Sequence, residues 1–388
     1  MISYGRQNIT QEDIDEVIKV LQSKFITQGP VIPQFENAIL KIVGSTHAVS
    51  TNSATSSLHI ACLSLGLGEG DILWTSPNSF VSSANCGLFC GAEVDFVDID
   101  PLTWNISVDK LKEKLKKAEH ENKLPKVIVT VDFAGQPVEQ ELIWELAKEY
   151  NFKILEDASH ALGASRCNEL VGSNRWSDIT VFSFHAVKMI TTGEGGVALT
   201  NSDELADKMR LLRSHGITKN TKQMNTDISL PDWYYEQQQL GFNYRLTDIQ
   251  AALGLSQLSR LNQYVNARQY LASRYDAHLN NLPIQLPHIK AKNQSSWHIY
   301  VIRLINNARG NDLRKDLYDA LKDAGICANV HYMPIHLQPY YKLQGFNEGD
   351  FQESERHGKE AITLPLYPGL DENLQDLVIS IIKKLLKC

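Results

Sequence analysis

The chain has 388 residues, enough for two or three domains with their own cores. A formal net charge of −7 gives no electrostatic footprint for nucleic acid. No apolar run approaches the roughly 18 residues of a membrane span, and the N-terminus lacks the apolar core of a signal peptide. We therefore expect a globular cytoplasmic protein that binds neither nucleic acid nor membrane.

The six cysteines do not suggest a disulfide framework in a chain of this length. Cys86 and Cys90 are four residues apart, as on one helix face, but no second Cys or His pair accompanies them. We expect reduced thiols and no metal site.

The N-terminal segment, residues 1–30, is predicted to be an arm followed by a helix. Thr10 and Asp13 have the spacing of a helix N-cap with an acidic first turn, and apolar residues follow at helical spacing. The polar segment Ser23–Pro30 is either a linker or a loop that lines a pocket. A second short amphipathic helix is predicted over residues 35–43.

Short β-branched runs alternate with helical patterns from residue 48 to residue 214. Strands are predicted over 71–75, 93–98, 126–131, 154–157, 178–184 and 196–200. This alternation indicates a doubly wound, mostly parallel sheet. The strand ends at Thr75, Asp132 and Asp157 and the loop 183–188 should then meet at one edge, where a ligand binds.

A turn of small hydroxyl residues follows a predicted strand at 48–51 and precedes a helix predicted over 58–67. Thr55 and Ser56 lie in this turn. Backbone N–H groups at such a helix start can face an anion, and the hydroxyls add donors. The pattern predicts a phosphate cradle, although an ordinary N-cap explains these residues equally well.

Lys188 lies on a tight loop between two predicted strands, with Ser183 and His185 nearby in sequence. Apolar surroundings favour loss of the lysine proton, as a Schiff-base lysine requires. Asp157 ends another strand 31 residues earlier, a gap long enough for one crossover and a further strand. An Asp partner for a pyridinium nitrogen together with a Schiff-base Lys indicates pyridoxal-phosphate (PLP) chemistry. Taken separately, Lys188 also fits an exposed loop lysine and Asp157 a helix N-cap.

Three further residues are candidates for binding this ligand. Phe80 follows a strand and can either stack on a flat ring or pack in the core. Asn243 and Arg245 lie just before a predicted helix start, where Arg binds phosphate well through its planar fork. A salt bridge is the alternative role for Arg245.

The C-terminal third is predicted to be a small α+β domain. A long helical region covers 249–280, strands are predicted over 297–303 and 327–332, and helices over 311–324 and 374–386. Residues 216–237 show no clear period and are interpreted as an excursion that meets another subunit.

Five ordered motifs carry a resemblance that extends over essentially the whole chain. They are Asn52-Ser-Ala-Thr-Ser56, Glu156-Asp-Ala-Ser-His160, Phe182-Ser-Phe-His-Ala-Val-Lys188, Thr192-Gly-Glu-Gly-Gly196 and Gly241-Phe-Asn-Tyr-Arg245. With them the chain resembles the DegT/DnrJ/EryC1/StrS sugar aminotransferases, which are PLP enzymes of fold type I. The resemblance implies a large α/β domain with a mostly parallel seven-stranded sheet, residues 31–248, and a small α+β domain with its linking helix, residues 249–388.

The resemblance also implies a role for individual residues. Lys188 would hold PLP as a Schiff base and move protons, Asp157 would pair with the ring nitrogen, and His160 would lie near the phenolic oxygen. Phe80 would stack on the ring, and the phosphate would be held by Thr55, Ser56 and Ser183, with Asn243 and Arg245 reaching in from the second subunit of a homodimer. The positions matching nucleotide-sugar contacts are Tyr4, Lys24, Phe25, Ile26, Thr27, Ala54, Ser183, Asn243, Asn329, Val330, His331 and Tyr332.

Within the family, the chain is most similar to members that use L-glutamate to aminate C4 of a UDP-linked 4-keto-6-deoxy-N-acetylhexosamine in pseudaminic acid biosynthesis. Asp132 stands where many members have His, and Ala186 where many have Pro; neither position touches the proposed proton chemistry directly. The alternatives are another nucleotide-linked keto-sugar, a PLP sugar dehydratase and a noncatalytic binding protein. Dehydratases of this fold usually carry His in place of the lysine, which argues against the second.

Overall fold

The computed structural model describes residues 2–221, 224, 231, 233–305 and 312–386. Its helices are α1 (Gln11–Leu21), α2 (Val31–Val43), α3 (Ala54–Ser64), α4 (Ser82–Phe89), α5 (Val108–Glu121), α6 (Gln140–Tyr150), α7 (Asp203–Arg213), α8 (Asp248–Leu258), α9 (Leu261–Leu279), α10 (Leu313–Asp323), α11 (Pro339–Lys342), α12 (Gln352–Glu360) and α13 (Glu372–Leu386). Its strands are β1 (His47–Thr51), β2 (Ile72–Thr75), β3 (Glu93–Phe96), β4 (Val127–Val131), β5 (Lys153–Asp157), β6 (Ser165–Arg166), β7 (Glu169–Leu170), β8 (Ile179–Ser183), β9 (Gly196–Thr200), β10 (Ile217–Thr218), β11 (Glu236–Gln237), β12 (Ile284–Gln285), β13 (Asn293–Gln294), β14 (Tyr300–Leu304) and β15 (Ala361–Leu364).

A seven-stranded sheet in the order β1-β9-β8-β5-β4-β2-β3 forms the centre of the large α/β unit. Strands β2, β3, β4, β5 and β8 pair in parallel, whereas β9 runs antiparallel to both β8 and β1. Continuous β-branched runs such as 127–131 are buried on both faces, as a covered parallel sheet requires. The predicted fold class, fold type I with a mostly parallel seven-stranded sheet, is confirmed.

Helices cover both faces of this sheet. Residues of α3, α4 and α7 share one core with alternate residues of β4, β5 and β8, including Val129, Leu155 and Val181. On the opposite face, α5 and α6 pack against Ile128 and Ile154, and α2 and α8 pack against the β8–β9 end of the sheet. Because the side chains alternate, Asp157 lies on the α3–α4 face, as Leu155 does.

The small unit consists of the antiparallel sheet β12-β14-β15 packed against α9, α10 and α13. The strand predicted over 327–332 is wrong. This segment makes a single bridge, between Asn329 and Thr363, and the Asn329 side chain accepts from the Val330 N–H at 2.8 Å. Because the Asn329 side chain satisfies the Val330 N–H, the ladder does not continue beyond this bridge.

Some element boundaries also differ from expectation. Helix α3 begins at Ala54 instead of residue 58, because the Ser53 side chain caps it by accepting from Ser56 N–H. The crossover between β5 and β8 contains the hairpin β6–β7. The capping box predicted at Thr10 and Asp13 is present.

The excursion over residues 216–237 lies partly outside the described residues; at its ends, β10 pairs with β11. Within the described chain, every helix is too short or too polar to cross a bilayer. The same residues contain no group of three or more His, Cys, Asp or Glu that could hold a metal ion. The domain boundaries at residues 30 and 248 stay predictions.

Candidate active site

A cavity of ≈ 530 Å³ opens at the carboxyl edge of the large sheet, and we call it the central cavity. It is lined by Tyr4, Ser53, Ala54, Thr55, Ser79, Phe80, Ser82, Val131, Asp157, Ser159, His160, Ser183, His185, Val187, Lys188, Glu194, His298, Asn329, His331 and Tyr332. The large unit supplies one wall and the segment after α10 supplies the other. The cavity therefore has the location expected for the ligand crevice of an α/β sheet.

Lys188 is held over the cavity floor by the loop between β8 and β9, where its backbone N–H donates to His185 carbonyl at 2.9 Å. Burial lowers the pKa of Lys188 to about 8, against the charge of Asp157, which raises it. The amine is thus partly unprotonated near neutral pH, unlike an exposed lysine. The alternative of an ordinary surface lysine does not describe this environment.

Asp157 presents an organised carboxylate to the same cavity. Ser83 Oγ donates to its Oδ2 at 2.6 Å, and the backbone N–H and hydroxyl of Ser159 donate to its Oδ1 at 3.2 and 2.5 Å. Three donors hold the carboxylate in one orientation. No helix begins at Asp157, so it does not serve as the N-cap that its sequence position also allowed.

The N-terminus of α3 faces the cavity through Ser53, Ala54 and Thr55. Its close approach to the sheet depends on Gly196, the first residue of β9, where an added Cβ would lie 2.5 Å from Ala54 N. Ser183 lies opposite Gly196 in the β8–β9 ladder and also lines the cavity. Free helix N–H groups and hydroxyls at one end of a cavity form an anion site.

His160 and Tyr332 meet across the cavity. The Ala134 N–H donates to Nδ1 of His160 at 3.3 Å, and Nε2 lies 3.2 Å from the Tyr332 hydroxyl. Burial, followed by the charge of Lys188, lowers the pKa of His160 well below its usual value. A neutral ring that accepts at Nδ1 carries its proton on Nε2, so His160 donates to Tyr332 and the Tyr332 proton is free for another acceptor.

Phe80 lines the cavity with 58% of its surface exposed, and its ring centroid lies 6.5 Å from that of Tyr332. An aromatic ring left this exposed at a cavity wall does not pack in the core. The structure therefore favours the stacking role for Phe80 over the core-packing alternative.

The segment that contains Asn329, His331 and Tyr332 joins the small unit to the cavity. His331 Nδ1 lies 2.8 Å from Thr363 Oγ1 in β15, and its ring centroid lies 5.3 Å from that of Tyr4. Tyr4 is fixed by its carbonyl, which accepts from Leu366 N–H at 3.0 Å. The N-terminal arm and the small unit thus build one wall together.

His298 is a cavity residue that the sequence analysis missed. It is 4% exposed, its ring centroid lies 4.4 Å from that of His160, and its buried Nδ1 has no hydrogen-bond partner among the described residues. Burial first, then the charge of Lys188, lowers its pKa well below the usual value. A histidine inside a predicted strand carries no signal of function. Ser83 and Ser159 were missed for a similar reason, since isolated serines are common.

Two candidate residues do not line the cavity. The Ser56 hydroxyl donates to Asn52 Oδ1 at 2.7 Å, because α3 begins earlier than predicted and Ser56 is already its third residue. Val330 lies in the wall segment between the cavity residues Asn329 and His331. The structure therefore brings Ser53 to the cavity in place of Ser56.

Two further groups of candidate residues lie away from the cavity of their own chain. The segment Lys24, Phe25, Ile26 and Thr27 is exposed, and Thr27 carbonyl accepts from Asp248 N–H at 2.9 Å. Asn243 is exposed, and the loop that carries Asn243 and Arg245 runs beside β1, with Asn52 N–H donating to Tyr244 carbonyl. Neither the segment 24–27 nor the pair Asn243 and Arg245 lines the central cavity of the chain that carries it.

A pair of buried carboxyls lies behind Asp157, on the opposite face of the sheet. Asp132 Oδ1 accepts from Val138 N–H at 2.9 Å, and Glu156 Oε2 accepts from Thr180 Oγ1 at 2.6 Å. Burial raises the pKa of Asp132 well above its usual value and that of Glu156 to about 7. Both carboxyls are therefore protonated more readily than exposed ones.

The central cavity fits PLP. A desolvated amine, a fixed carboxylate, an exposed aromatic ring and a helix N-terminus with hydroxyls are the groups that attach PLP, pair with its ring nitrogen, stack on its ring and bind its phosphate. The fold and this donor set together define a PLP-dependent transferase of fold type I.

The chain belongs to the DegT/DnrJ/EryC1/StrS aminotransferase family, whose model matches residues 7–383. It is therefore a PLP-dependent sugar aminotransferase. It is 38% identical to the UDP-4-amino-4,6-dideoxy-N-acetyl-beta-L-altrosamine transaminase of Campylobacter jejuni, over 100% of this chain and 99% of that protein. It is 36% identical to the spore coat polysaccharide biosynthesis protein SpsC of Bacillus subtilis, over 100% and 97% of the two chains.

A solved structure shares the whole fold. PseC of Helicobacter pylori, an aminotransferase involved in the biosynthesis of pseudoaminic acid, superimposes with a TM-score of 0.90 at 34% identity. The match covers 100% of this chain and 99% of that one.

Proposed function

We propose that the protein transfers the amino group of L-glutamate to C4 of a UDP-linked 4-keto-6-deoxy-N-acetylhexosamine. The product would be UDP-4-amino-4,6-dideoxy-N-acetyl-β-L-altrosamine, a precursor of pseudaminic acid. The observation that carries the aminotransferase chemistry is the convergence of Lys188 and Asp157 on one cavity. The relatives from Campylobacter and Helicobacter support this choice of sugar.

Five residues have positions suited to hold the cofactor. Lys188 would bind PLP as a Schiff base, Asp157 would accept from the ring nitrogen, and Phe80 would cover the ring face. Thr55 and Ser183 would donate to the phosphate at the α3 end. When bound, PLP supplies an electron sink that acidifies the C–H bond next to the amine.

The chain itself supplies the proton transfers. Lys188, with a pKa of about 8, can take a proton from a carbon atom and return it at neutral pH. Asp157, held in one orientation by Ser83 and Ser159, would accept the proton of the ring N–H in a hydrogen bond. His160, whose Nε2 proton is directed at Tyr332, leaves the Tyr332 hydroxyl free to donate into the cavity. His160 would lie near the phenolic oxygen of PLP.

A second copy of the chain would complete the site. In the described part of the chain, Lys188 is the one lysine or arginine that lines the central cavity. Both substrates and the cofactor carry anionic groups, which one lysine does not balance. Asn243, Arg245 and the segment from Lys24 to Thr27 stand outside their own cavity, so they are available to a partner's cavity in a homodimer.

The remaining wall residues would contact the nucleotide sugar. Tyr4, Ala54, Asn329 and His331 all line the central cavity. Burial lowers the pKa of His331 to about 3, so its ring stays neutral and acts through hydrogen bonds. Val330 would contribute through its backbone as part of this segment.

The test is amine transfer from ¹⁵N-labelled glutamate to a panel of UDP- and dTDP-linked keto-sugars, followed by mass spectrometry of the nucleotide sugar. We expect label at C4 of the UDP-linked 4-keto-6-deoxy-N-acetylhexosamine, and parallel initial-rate lines when the two substrates are varied. Label in a dTDP-linked or C3-keto sugar would instead assign another nucleotide-linked substrate to the same chemistry.

Lys188→Ala tests the role of the lysine, with Lys153→Ala as a matched control, because Lys153 lies on the sheet surface and pairs with Asp178. Lys188→Ala should lose turnover by several orders of magnitude, since covalent and acid–base roles disappear together. Lys153→Ala should retain it. Full turnover by Lys188→Ala would show that the assignment of the lysine is wrong, and label in no sugar would reject the proposed substrate class.

A further inference from the structure

His357 is a fully buried histidine of α12 that lies behind the wall of the central cavity and contacts the segment that forms this wall. Its Nε2 lies 2.9 Å from the carbonyl oxygen of His331. Because a carbonyl oxygen only accepts, Nε2 carries the ring proton and donates it to this oxygen. Burial lowers the pKa of His357 to about 3, against the bond to His331, which raises it. The ring therefore stays neutral and keeps its single proton on Nε2.

The other ring nitrogen of His357 makes no contribution of this kind. Nδ1 is buried and has no hydrogen-bond partner among the residues that the structure describes. An unpaired buried nitrogen costs stability, which an apolar side chain of similar size would avoid. The ring also packs on Trp104 and Phe133, with centroids 5.2 and 5.5 Å away, as an apolar side chain could. What a histidine adds at this position is therefore the Nε2 donor.

Asn78, in the loop after β2, holds the other polar group of the same peptide. The Tyr332 N–H donates to Asn78 Oδ1 at 3.3 Å, and Asn78 Nδ2 donates to the Trp104 carbonyl at 3.1 Å. The second bond fixes the orientation of the Asn78 amide, with its oxygen toward Tyr332. The carbonyl and the N–H of the peptide between His331 and Tyr332 are thus each paired with a buried side chain.

The orientation of this peptide determines where the Tyr332 side chain points. The Tyr332 hydroxyl lies 3.2 Å from Nε2 of His160, at the far end of a rigid ring. A rotation of the peptide is therefore larger at the hydroxyl than at the backbone. A misplacement of about 1 Å at a reacting group costs up to about 100-fold in rate.

We propose that His357 is a positioning residue for the aminotransferase reaction, which acts on the Tyr332 hydroxyl through the His331 carbonyl. His357 lies outside the cavity and touches neither cofactor nor substrate. Without its Nε2 donor, Asn78 alone holds the peptide, and the Tyr332 hydroxyl loses its fixed distance from His160. This role rests on the proton donation proposed above for Tyr332.

The first experiment is a double-mutant cycle between His357→Leu and Tyr332→Phe in the PLP-loaded protein. The rate measured is the single-turnover absorbance change on addition of glutamate, the proposed amine donor, because no nucleotide sugar then contacts the wall segment. His357→Leu should lower this rate about tenfold, since the hydroxyl remains but is displaced. In the Tyr332→Phe background the same change should have almost no effect, because two residues that act through one group are not additive.

Two further variants separate positioning from a general loss of packing. His357→Gln places an amide N–H close to the position of Nε2 and should restore most of the rate. Gln375→Leu is the matched control, because the buried Gln375 Nε2 also donates to a backbone carbonyl, that of Leu271 at 2.7 Å, within the small unit. Gln375→Leu should lose stability in urea unfolding and keep the wild-type rate.

Fluorine NMR of protein labelled with 3-fluorotyrosine gives a second readout, which needs no substrate. The Tyr332 resonance is the one missing from Tyr332→Phe, and it should shift in His357→Leu and return in His357→Gln. An unmoved resonance, a wild-type rate in His357→Leu, or equal rate losses from His357→Leu with and without the Tyr332 hydroxyl would each overturn the proposal. A wild type that does not react with glutamate but shows these shifts would support the positioning role and reject the proposed donor.

Discussion

His160 donates its Nε2 proton to the hydroxyl of Tyr332 across 3.2 Å, so the tyrosine must direct its own proton elsewhere in the central cavity. Tyr332→Phe removes that donor. We expect kcat to fall about 100-fold, the lower range for a lost acid–base group, with the protein still folded and PLP still bound.

Tyr341→Phe is the matched control. Tyr341 is a buried tyrosine, whereas Tyr332 is half-buried, and the Tyr341 hydroxyl donates to Asn85 Oδ1 at 2.7 Å outside the cavity. Each variant should lose about 1 kcal/mol of unfolding free energy from its missing hydrogen bond. Steady-state kinetics and urea unfolding of both proteins check this, and an equal fall of kcat in both would show that the Tyr332 hydroxyl has only a structural role.

Asp157 raises the pKa of the buried Lys188 amine, and burial lowers it. In Asp157→Asn the opposing charge is gone, so the pKa of Lys188 should fall below about 8. The pH dependence of trinitrobenzenesulfonate labelling of Lys188 in PLP-free protein measures this directly. Asp178→Asn, at the opposite end of the sheet, should leave the labelling curve in place. An unchanged or raised pKa in Asp157→Asn would contradict the electrostatic coupling.

Gly196 lets the N-terminus of α3 approach the sheet. In Gly196→Ala the added Cβ would meet Ala54 N and must displace the helix start. We expect weaker PLP binding and a stability loss of about 1–3 kcal/mol, the usual result of overpacking. Gly68→Ala, where an added Cβ meets nothing within 4 Å, is the control. PLP titration followed by tryptophan fluorescence compares the two, and unchanged affinity in Gly196→Ala would reject the phosphate role of this helix start.

His298 carries a buried, unpaired Nδ1 beside His160. His298→Phe keeps the packed ring and removes the polar atoms, so the ligand-free protein should become more stable because an unsatisfied group is gone. The KM for one of the substrates should rise at the same time. Thermal unfolding and steady-state kinetics test both expectations. A higher melting temperature with unchanged KM and kcat would mean that His298 does not contact a ligand.

Glu156 has a pKa of about 7 in the folded protein, above its ordinary value. Between the ordinary pKa of a glutamate and the pKa in the folded protein, the folded state holds a proton that the unfolded state has lost. This carboxyl therefore makes the free energy of unfolding fall as the pH rises from about 5 to 7. Because the glutamine in Glu156→Gln cannot ionise, the free energy of unfolding of this variant should fall less steeply with rising pH. Urea unfolding at pH 5, 6 and 7 measures the slope, with the exposed Glu145→Gln as control. Equal slopes in wild type and Glu156→Gln would refute the shift.

The sequence alone predicted best those site residues that lie at the end of one strand or on one loop. Lys188 and Asp157 come directly from buried strands whose ends must meet at a parallel sheet's edge, so their proximity follows from strand order. Residues on the second wall were accessible only through the family resemblance. No local pattern places Tyr4 beside His331, because that contact depends on how the N-terminal arm pairs with the small unit.

The errors also have physical causes. The segment 327–332 resembles a strand, but a strand needs a partner ladder, and β15 offers it a single bridge. The position of Ser56 was misjudged because cap chemistry at Ser53 moved the helix start by one turn. His298 could not be found, since a buried histidine in a strand looks the same whether its ring nitrogens meet a protein group or a substrate.

Strand β9 determines how two parts of the candidate site are aligned. Gly196 is aligned with Thr51 of β1 on one side and with Ser183 of β8 on the other, so a single rung of the sheet fixes both the turn into α3 and the start of the Lys188 loop. The register of this rung therefore fixes the distance between the anion site and the first residue of the Lys188 loop. A one-residue slip of β9 would turn every one of its side chains to the other face and would separate the two.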